Sequence, residues 1–239
     1  MQENAAEARE DKAQAVRKMF GSIAPRYDFL NHFLSANTDR RWRRQCVALV
    51  SGRASGDSPR ILDVGCGTGD LSIAFSRLGR VTGCDFCQPM LRIGIEKSAR
   101  TPSAHPLELL SGDALALPFR NGSFDVVVSA FVLRNLADLD RGLAEMRRVL
   151  KPGGILAALE FAIPKVPVIG ALYRLYFSRV LPLLGRAISG DSGAYRYLPD
   201  SVGAFPPPES LSQIIRDAGF EEVSYRRLSA GIAVLYLGS

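Results

Sequence analysis

The amino-acid sequence predicts an α/β fold: a mostly parallel seven-stranded sheet, helices on both faces, and an antiparallel hairpin at the C-terminal end. Three observations carry that prediction. From Arg60 onward strand-like and helix-like segments alternate, the pattern of a doubly wound sheet. The first apolar run, Ile61–Val64, ends in a glycine-rich turn that opens a helix. The last two strand-like runs are joined through Ser229-Ala230-Gly231, a loop short enough to demand antiparallel pairing.

The 239 residues suffice for one domain, 1–239, and 47% hydrophobic content is ordinary for a soluble globular chain. A helical segment over 1–50 precedes a sheet core over 60–161; an apolar insert over 162–205 and a helix with hairpin over 206–239 complete it. Residues 1 to about 12 are rich in Ala, Glu and Arg and are expected to fray. Val16–Phe20 reads as a short helix stopped by Gly21 and Pro25. Ser35 or Thr38 is placed to cap a second helix running through Arg43 to Val50. Its arginines at 40, 41, 43 and 44 read as a solvated helix face, with a phosphate-binding stripe as the alternative.

Residues 52–59 form a polar linker. Strands are expected near 61–64, 80–84, 107–110, 124–129, 154–161, 222–228 and 232–237, and helices near 70–78, 88–99, 139–150 and 209–218. Ala162 to Ser189 breaks the alternation. It is apolar and aromatic, contains Pro164, Pro167 and Pro182, and carries Lys165, Arg174, Arg179 and Arg186 along its length. Read as helix, it puts Tyr173, Phe177, Val180 and Leu184 on one face. Inserted after the fifth strand, at the sheet edge where ligands bind, it reads as a lid over an apolar substrate or a lipid-facing surface. An ordinary buried helix is the plain alternative.

The net charge of +6 admits nucleic acid, an anionic membrane surface or an acidic substrate as partner. Four scattered cysteines make no disulfide framework, and Cys84-x-x-Cys87 has no second pair for zinc. With only His32 and His105 as histidines, no metal is expected. Met1–Lys12 lacks the apolar core of a signal peptide, and no run of 18 apolar residues occurs. A cytoplasmic chain, or one peripheral at the inner face of a membrane, is expected.

The stretch Asp63-x-Gly65-x-Gly67-x-Gly69 joins a buried strand, a tight turn and a helix N-terminus, an arrangement that holds a nucleotide-like ligand. A dinucleotide fingerprint needs glycine at the sixth position from Gly65, where Asp70 stands. The register instead resembles the first motif of S-adenosylmethionine methyltransferases. Asp85 ends the second strand about twenty residues on, where a carboxylate accepts both ribose hydroxyls. Gly112-Asp113-Ala114 follows the third strand, where those methyltransferases hold adenine, and Phe124–Ser129 supplies the fourth strand in order. The four pieces together imply a Rossmann-like class I methyltransferase with S-adenosylmethionine as cofactor.

Two segments sharpen the likeness. Tyr27-Asp28-x-Leu30-Asn31-x-x-Leu34-Ser35-x-x-x-Asp39-x-x-Trp42 resembles the first signature of the ubiquinone/menaquinone biosynthesis C-methyltransferase family, and Arg148 to Phe161 resembles the second. Phe131-Val132-Leu133-Arg134-Asn135, Tyr195 to Leu198 and Ala218-Gly219-Phe220 extend the likeness over residues 14 to 237. There are departures: Leu30 for Met, Asp39 for His, Val132 for Gly and Ala162 for Ser. Asp39 matters most, because a mechanism needing imidazole there cannot operate.

The resemblance implies cofactor contacts at Thr68, Asp85, Asp113, Ala114 and Ser129, beside Asp63, Gly65 and Gly67 of the motif. It implies a prenylated quinol as substrate, methylated on a ring carbon in menaquinone or ubiquinone biosynthesis. Ring carbon is a poor nucleophile until a ring oxygen ionises. Arg134 would stabilise the phenolate, Asn135 would orient it, and Tyr27, Asp28 and His32 are the candidate proton acceptors. The partners expected are the quinol, a peripheral membrane contact through 162–189, no nucleic acid, and a second copy in a homodimer. Rival readings are methylation of another small apolar substrate, a sterol or phenol, and a non-catalytic cofactor-binding protein, which turnover would separate. A nucleic-acid methyltransferase is disfavoured because Ser129-Ala-Phe-Val replaces the Asn/Asp-Pro-Pro-aromatic motif.

Overall fold

Strands β1 (Arg60–Val64), β2 (Arg80–Asp85), β3 (Leu107–Ser111), β4 (Phe124–Ala130), β5 (Leu150–Phe161), β6 (Ser224–Leu228) and β7 (Ala233–Gly238) form one sheet in the order β3-β2-β1-β4-β5-β7-β6. The computed structural model describes residues 2–54, 56–166, 170, 173, 175 and 192–239. The first five strands run parallel, and β7 pairs antiparallel with both β5 and β6. The hairpin turn at Ser229–Gly231 is fixed by Trp42, whose indole N–H donates to Ser229 Oγ at 2.9 Å.

Central strands covered on both sides need apolar residues at consecutive positions rather than at alternate ones. In β1 and β4, Ile61, Leu62, Val64 and Val126 to Val128 are all fully buried. Leu62, Val64 and Val127 pack toward helices α5 (Leu139–Val149) and α7 (Pro208–Asp217) through Leu143, Met146, Leu211 and Ile215. Ile61, Val126 and Val128 pack toward α2 (Thr38–Ser51) and α3 (Asp70–Phe75) through Trp42, Cys46, Val50 and Phe75. The remaining helices are α1 (Gln2–Leu34), α4 (Gln88–Ala99) and α6 (Ser192–Ala204).

The N-terminal segment departs from the sequence expectation. It is one 33-residue helix, running through Gly21 and Pro25 and beginning at Gln2. Pro25 lies on the exposed side, while Val16, Ala24 and Leu30 are buried. Packing of that inner stripe outweighs the backbone bond lost at one proline. The first turns are tied down by Arg9 to Asp138, 3.1 Å, and by Lys12 Nζ to the Leu136 carbonyl, 2.6 Å. Neither Ser35 nor Thr38 caps α2. Asn37 occupies the N-cap position in the left-handed conformation with no side-chain cap bond, and Ser35 donates to Asp39.

Strand β5 starts four residues early, because Leu150 pairs with Phe124 before a register shift lets Ile155 pair with Val126. The other element ends from β1 onward fall within three residues of those expected. Of the insert, Gly170, Tyr173 and Leu175 are helical; Phe177, Val180, Leu184 and the arginines at 174, 179 and 186 lie outside the described residues. Among the described residues no helix is long and apolar enough to cross a membrane.

Candidate active site

The glycine turn after β1 stands at the C-terminal edge of the parallel strands. Gly65 has φ +70, and a Cβ there would lie 2.4 Å from Cγ2 of Val132. Gly67 turns its N–H onto Asp85, donating to Oδ2 at 2.8 Å, while the Cys87 N–H donates to Oδ1 at 2.8 Å. Two backbone donors thus orient the Asp85 carboxylate, and each oxygen keeps a lone pair for a ligand. Burial pushes the Asp85 carboxyl up, and these N–H bonds pull it back. Asp113 is set by a local turn in which its Oδ1 accepts from the Leu115 N–H, 2.8 Å.

Gly65, Gly67, Asp85, Asp113 and Ala114 line a cavity of about 860 Å³, roofed by Val16, Arg17 and Phe20 of α1. The backbone cradle that a Cβ would fill, the Asp85 acceptors at the second strand's end and the carboxylate at Asp113 suit S-adenosylmethionine.

Three further expected cofactor residues are not among the lining of this cavity. Thr68 spends its hydroxyl on α1, donating to Asp28 Oδ1 at 2.5 Å. Asp63 sits under the turn, accepting from Ser72 Oγ at 2.5 Å, and burial pushes its carboxyl up to about 7. Both line a smaller hollow behind the glycine turn. Ser129 is buried in the sheet, where β4 turns its hydroxyl onto the Val64 carbonyl of neighbouring β1, 2.9 Å.

A second cavity, about 750 Å³, adjoins the first at Phe20, Tyr27 and Phe131. Its walls are Ile23, Leu30 and Asn31 of α1, Asp39 and Arg43 of α2, Phe161 of β5, and Tyr197 and Leu198 of α6. Phe131 has φ 63, a strained value for a side chain of that size. Arg134 Nη1 and Asn135 Nδ2 both donate to the Phe131 carbonyl, at 2.6 and 3.0 Å, and lock the turn. The Phe131 ring stacks on Phe161 with centroids 4.3 Å apart. Arg43 and Arg134 lie over the outer faces of this pair, 5.9 Å from the Phe131 and 5.3 Å from the Phe161 centroid.

Arg134 also donates to Glu160 Oε2 at 3.0 Å. Glu160 is fully buried; burial pushes its acid up and Arg134 opposes the shift. Asn135 Oδ1 accepts from the Tyr197 hydroxyl at 3.0 Å. Nε of Arg43 and of Arg134 is buried without a hydrogen-bond partner, which leaves unused donors beside the cavity. Burial raises the Tyr27 phenol above its usual range, with the Asn31 hydrogen bond acting against that, so Tyr27 is a proton donor at neutral pH.

Asp28 and His32, two of the expected proton acceptors, do not line this cavity. Asp28 Oδ2 is paired with Lys97 at 2.7 Å, and Lys97 also holds Asp70 Oδ1 at 2.6 Å. His32 Nδ1 is 2.9 Å from Asp39 Oδ2, which Arg43 also binds; Asp39 Oδ1 accepts from Ser35 at 2.6 Å. Burial opposes ionisation of Asp39, but Ser35 and Arg43 outweigh it and hold the carboxyl below the usual range. Burial likewise opposes ionisation of Asp70, where Arg43 and Lys97 outweigh it. His32, Asp39 and Asp70 offer atoms within 4.8 Å of one another, yet Arg43 and Lys97 already supply the positive charge, which makes this an ion-pair cluster.

Sequence reasoning missed Arg43, taken for solvated, and Glu160, the partner of Arg134. The signal for Arg43 was present: Asp39, Trp42, Arg43, Cys46 and Val50 follow helical spacing and form the buried stripe of α2.

The sheet order, the glycine turn and the acid ending β2 define a class I S-adenosylmethionine-dependent methyltransferase. A solved methyltransferase from Thermotoga maritima, described as a possible histamine N-methyltransferase, superposes with a TM-score of 0.66 at 21% identity, covering 94% of this chain and 99% of its own. More particularly, the chain belongs to the ubiE/COQ5 methyltransferase family, whose model matches residues 6–239. Demethylmenaquinone methyltransferase of Deinococcus radiodurans is 48% identical over 234 residues, 96% of this chain and 94% of that protein. The Thermus thermophilus protein of the same name is 49% identical over 92% of this chain and 99% of its own. Ubiquinone/menaquinone biosynthesis C-methyltransferase UbiE of Geobacter sulfurreducens is 41% identical over 95% of this chain and 89% of its own.

Proposed function

We propose that this methyltransferase transfers a methyl group to a ring carbon of a prenylated quinol, demethylmenaquinol being the substrate that its relatives favour. The carrying observation is the apolar cavity that meets the cofactor cavity at Tyr27 and Phe131, flanked by the Arg43 and Arg134 guanidinium groups.

The cofactor supplies an electrophilic methyl; the chain's task is to raise electron density on the ring carbon and align it. Arg134 favours an ionised ring oxygen electrostatically, an effect of roughly 2.7–4 kcal/mol for one oxyanion donor. Tyr27 donates a hydrogen bond at the junction of the two cavities. Asp39, held ionised by Ser35 and Arg43, fixes the Arg43 guanidinium at the wall of the apolar cavity, and the phenolic proton leaves through water. Asn135 and Arg134 hold the Phe131 turn, which sets the ring against the cofactor side. Such positioning contributes up to about 7–11 kcal/mol in favourable cases. Asp85, Asp113 and Ala114 bind the cofactor's ribose and adenine. The enzyme works in the cytoplasm at the inner membrane face, where residues 162–189 meet lipid.

The test is release of S-adenosylhomocysteine on adding a short-chain demethylmenaquinone, with and without dithionite, beside mass spectrometry of the quinone. Turnover in the reduced sample alone, with one methyl added to the ring, supports the quinol reading. Silence with this quinol and with the benzoquinol of the ubiquinone route, while the cofactor still binds, assigns the site to a sterol or a simple phenol.

A further inference from the structure

Phe29 and Phe33 stand on the outer side of α1, 58% and 53% exposed. Their rings stack, with centroids 5.7 Å apart and planes at 12°. The inner side of the same turns lines the apolar cavity with Tyr27, Leu30 and Asn31. The segment after Phe161, itself a wall of that cavity, exposes Ile163 (44%), Val166 (46%) and Leu175 (51%). Five of the seven exposed large apolar side chains among the described residues therefore lie on α1 and on the stretch that follows Phe161, both of which contribute walls at Tyr27, Leu30, Asn31 and Phe161.

Charge selects the partner. Between Lys12 and Ser51 the chain has two acids, Asp28 and Asp39, and both are neutralised, by Lys97 and by Arg43. Arg40, Arg41 and Arg44, on the first turns of α2 just beyond Phe33, are exposed. A stacked aromatic pair followed within a dozen residues by exposed, uncompensated arginines matches a bilayer of anionic lipids: apolar rings enter the acyl boundary and guanidinium groups meet the headgroups.

We propose that the outer face of α1 at Phe29 and Phe33, with Arg40, Arg41 and Arg44 of α2, docks the protein on an anionic lipid bilayer. This surface is separate in sequence from residues 162–189. It rests on the quinol reading only for its purpose, which is to let a prenyl tail pass between bilayer and cavity without crossing water.

The test is co-sedimentation of the full chain with vesicles of phosphatidylcholine, with and without phosphatidylglycerol, and with no quinone present. The wild-type chain binds the anionic vesicles, and added salt weakens that binding. Phe29→Ser/Phe33→Ser lowers vesicle affinity about tenfold or more. Arg40→Gln/Arg41→Gln/Arg44→Gln removes most of the salt dependence. Both variants keep wild-type thermal unfolding and turnover of a soluble short-chain quinol. A wild-type chain that ignores anionic vesicles, or a double Phe variant that binds them equally well, overturns the proposal. So does a dimer that the Phe substitutions disperse in sedimentation velocity while vesicles are ignored, which gives the face to a second copy. Vesicle binding with no quinol turnover counts against the substrate reading alone.

Discussion

The two adjoining cavities are built by different means. On the cofactor side, the groups that face the ligand are backbone and short carboxylates, delivered by the ends of β1, β2 and β3 within about fifty residues. On the apolar side, the walls are long side chains from α1, α2, the end of β5 and α6, separated by more than a hundred residues and braced by buried ion pairs. A backbone cradle accepts one ligand shape and is written in local sequence. A cavity of side chains is set by long-range packing, and each buried charge in it depends on its partner.

Breaking the brace on the apolar side is expected to have the largest effect. Arg134→Ala leaves Glu160 fully buried and unpaired, which costs about 3–5 kcal/mol of stability. Arg134→Ala/Glu160→Gln should recover most of that loss in urea unfolding. Cofactor affinity should fall less than stability does, because Arg134 reaches the cofactor cavity only through the Phe131 turn. Equal losses of stability in the single and double variants would refute the brace.

Asp63 gives a pH-dependent test beneath the glycine turn. Its folded value of about 7 lies above the unfolded value, so the folded chain binds the extra proton between roughly pH 4 and 7. This group's contribution to stability is full below that window and falls as pH rises through it, by about 4 kcal/mol. Asp63→Asn should flatten the corresponding stretch of the stability curve, read from urea midpoints across that range. An unchanged slope would refute the assignment.

Asp85→Asn sharpens the contrast between the cavities. It should weaken cofactor binding by about ten- to hundredfold in calorimetry while leaving quinol KM alone. The smallest effect is expected at the clamp between α1 and the glycine turn. Lys97 and Asp28 are each about a quarter exposed, so Lys97→Met should cost roughly 0.2–1 kcal/mol. The readout is faster amide exchange around Asp28, with the sheet unaffected.

The same contrast explains what was legible in the sequence. The alternation of strand and helix, the Asp-x-Gly-x-Gly-x-Gly register and Asp85 could be read because each is a local pattern with a local physical cause. The single helix over residues 2 to 34 could not: Pro25 argues locally for a stop, and only packing of Val16, Ala24 and Leu30 overrides it. Asp28 and His32 were expected at the substrate because they neighbour Tyr27 in sequence. On a helix, successive residues point about 100° apart, which carries Asp28 to Lys97 rather than to the cavity. The partnership of Arg134 with Glu160 spans 26 positions and has no sequence signature.

The contact between Gly65 and Val132 has a consequence for which substitutions the turn can exchange. A methyl group at position 65 is refused twice, by the backbone at φ +70 and by the Val132 side chain 2.4 Å from where that methyl would stand. These two refusals are separable. In a Val132→Gly background the steric one disappears and the conformational one, about 1 kcal/mol, persists. Gly65→Ala should therefore be far better tolerated there than in the wild-type chain. The two positions behave as a matched pair, and a change at one alters what the other is permitted to become.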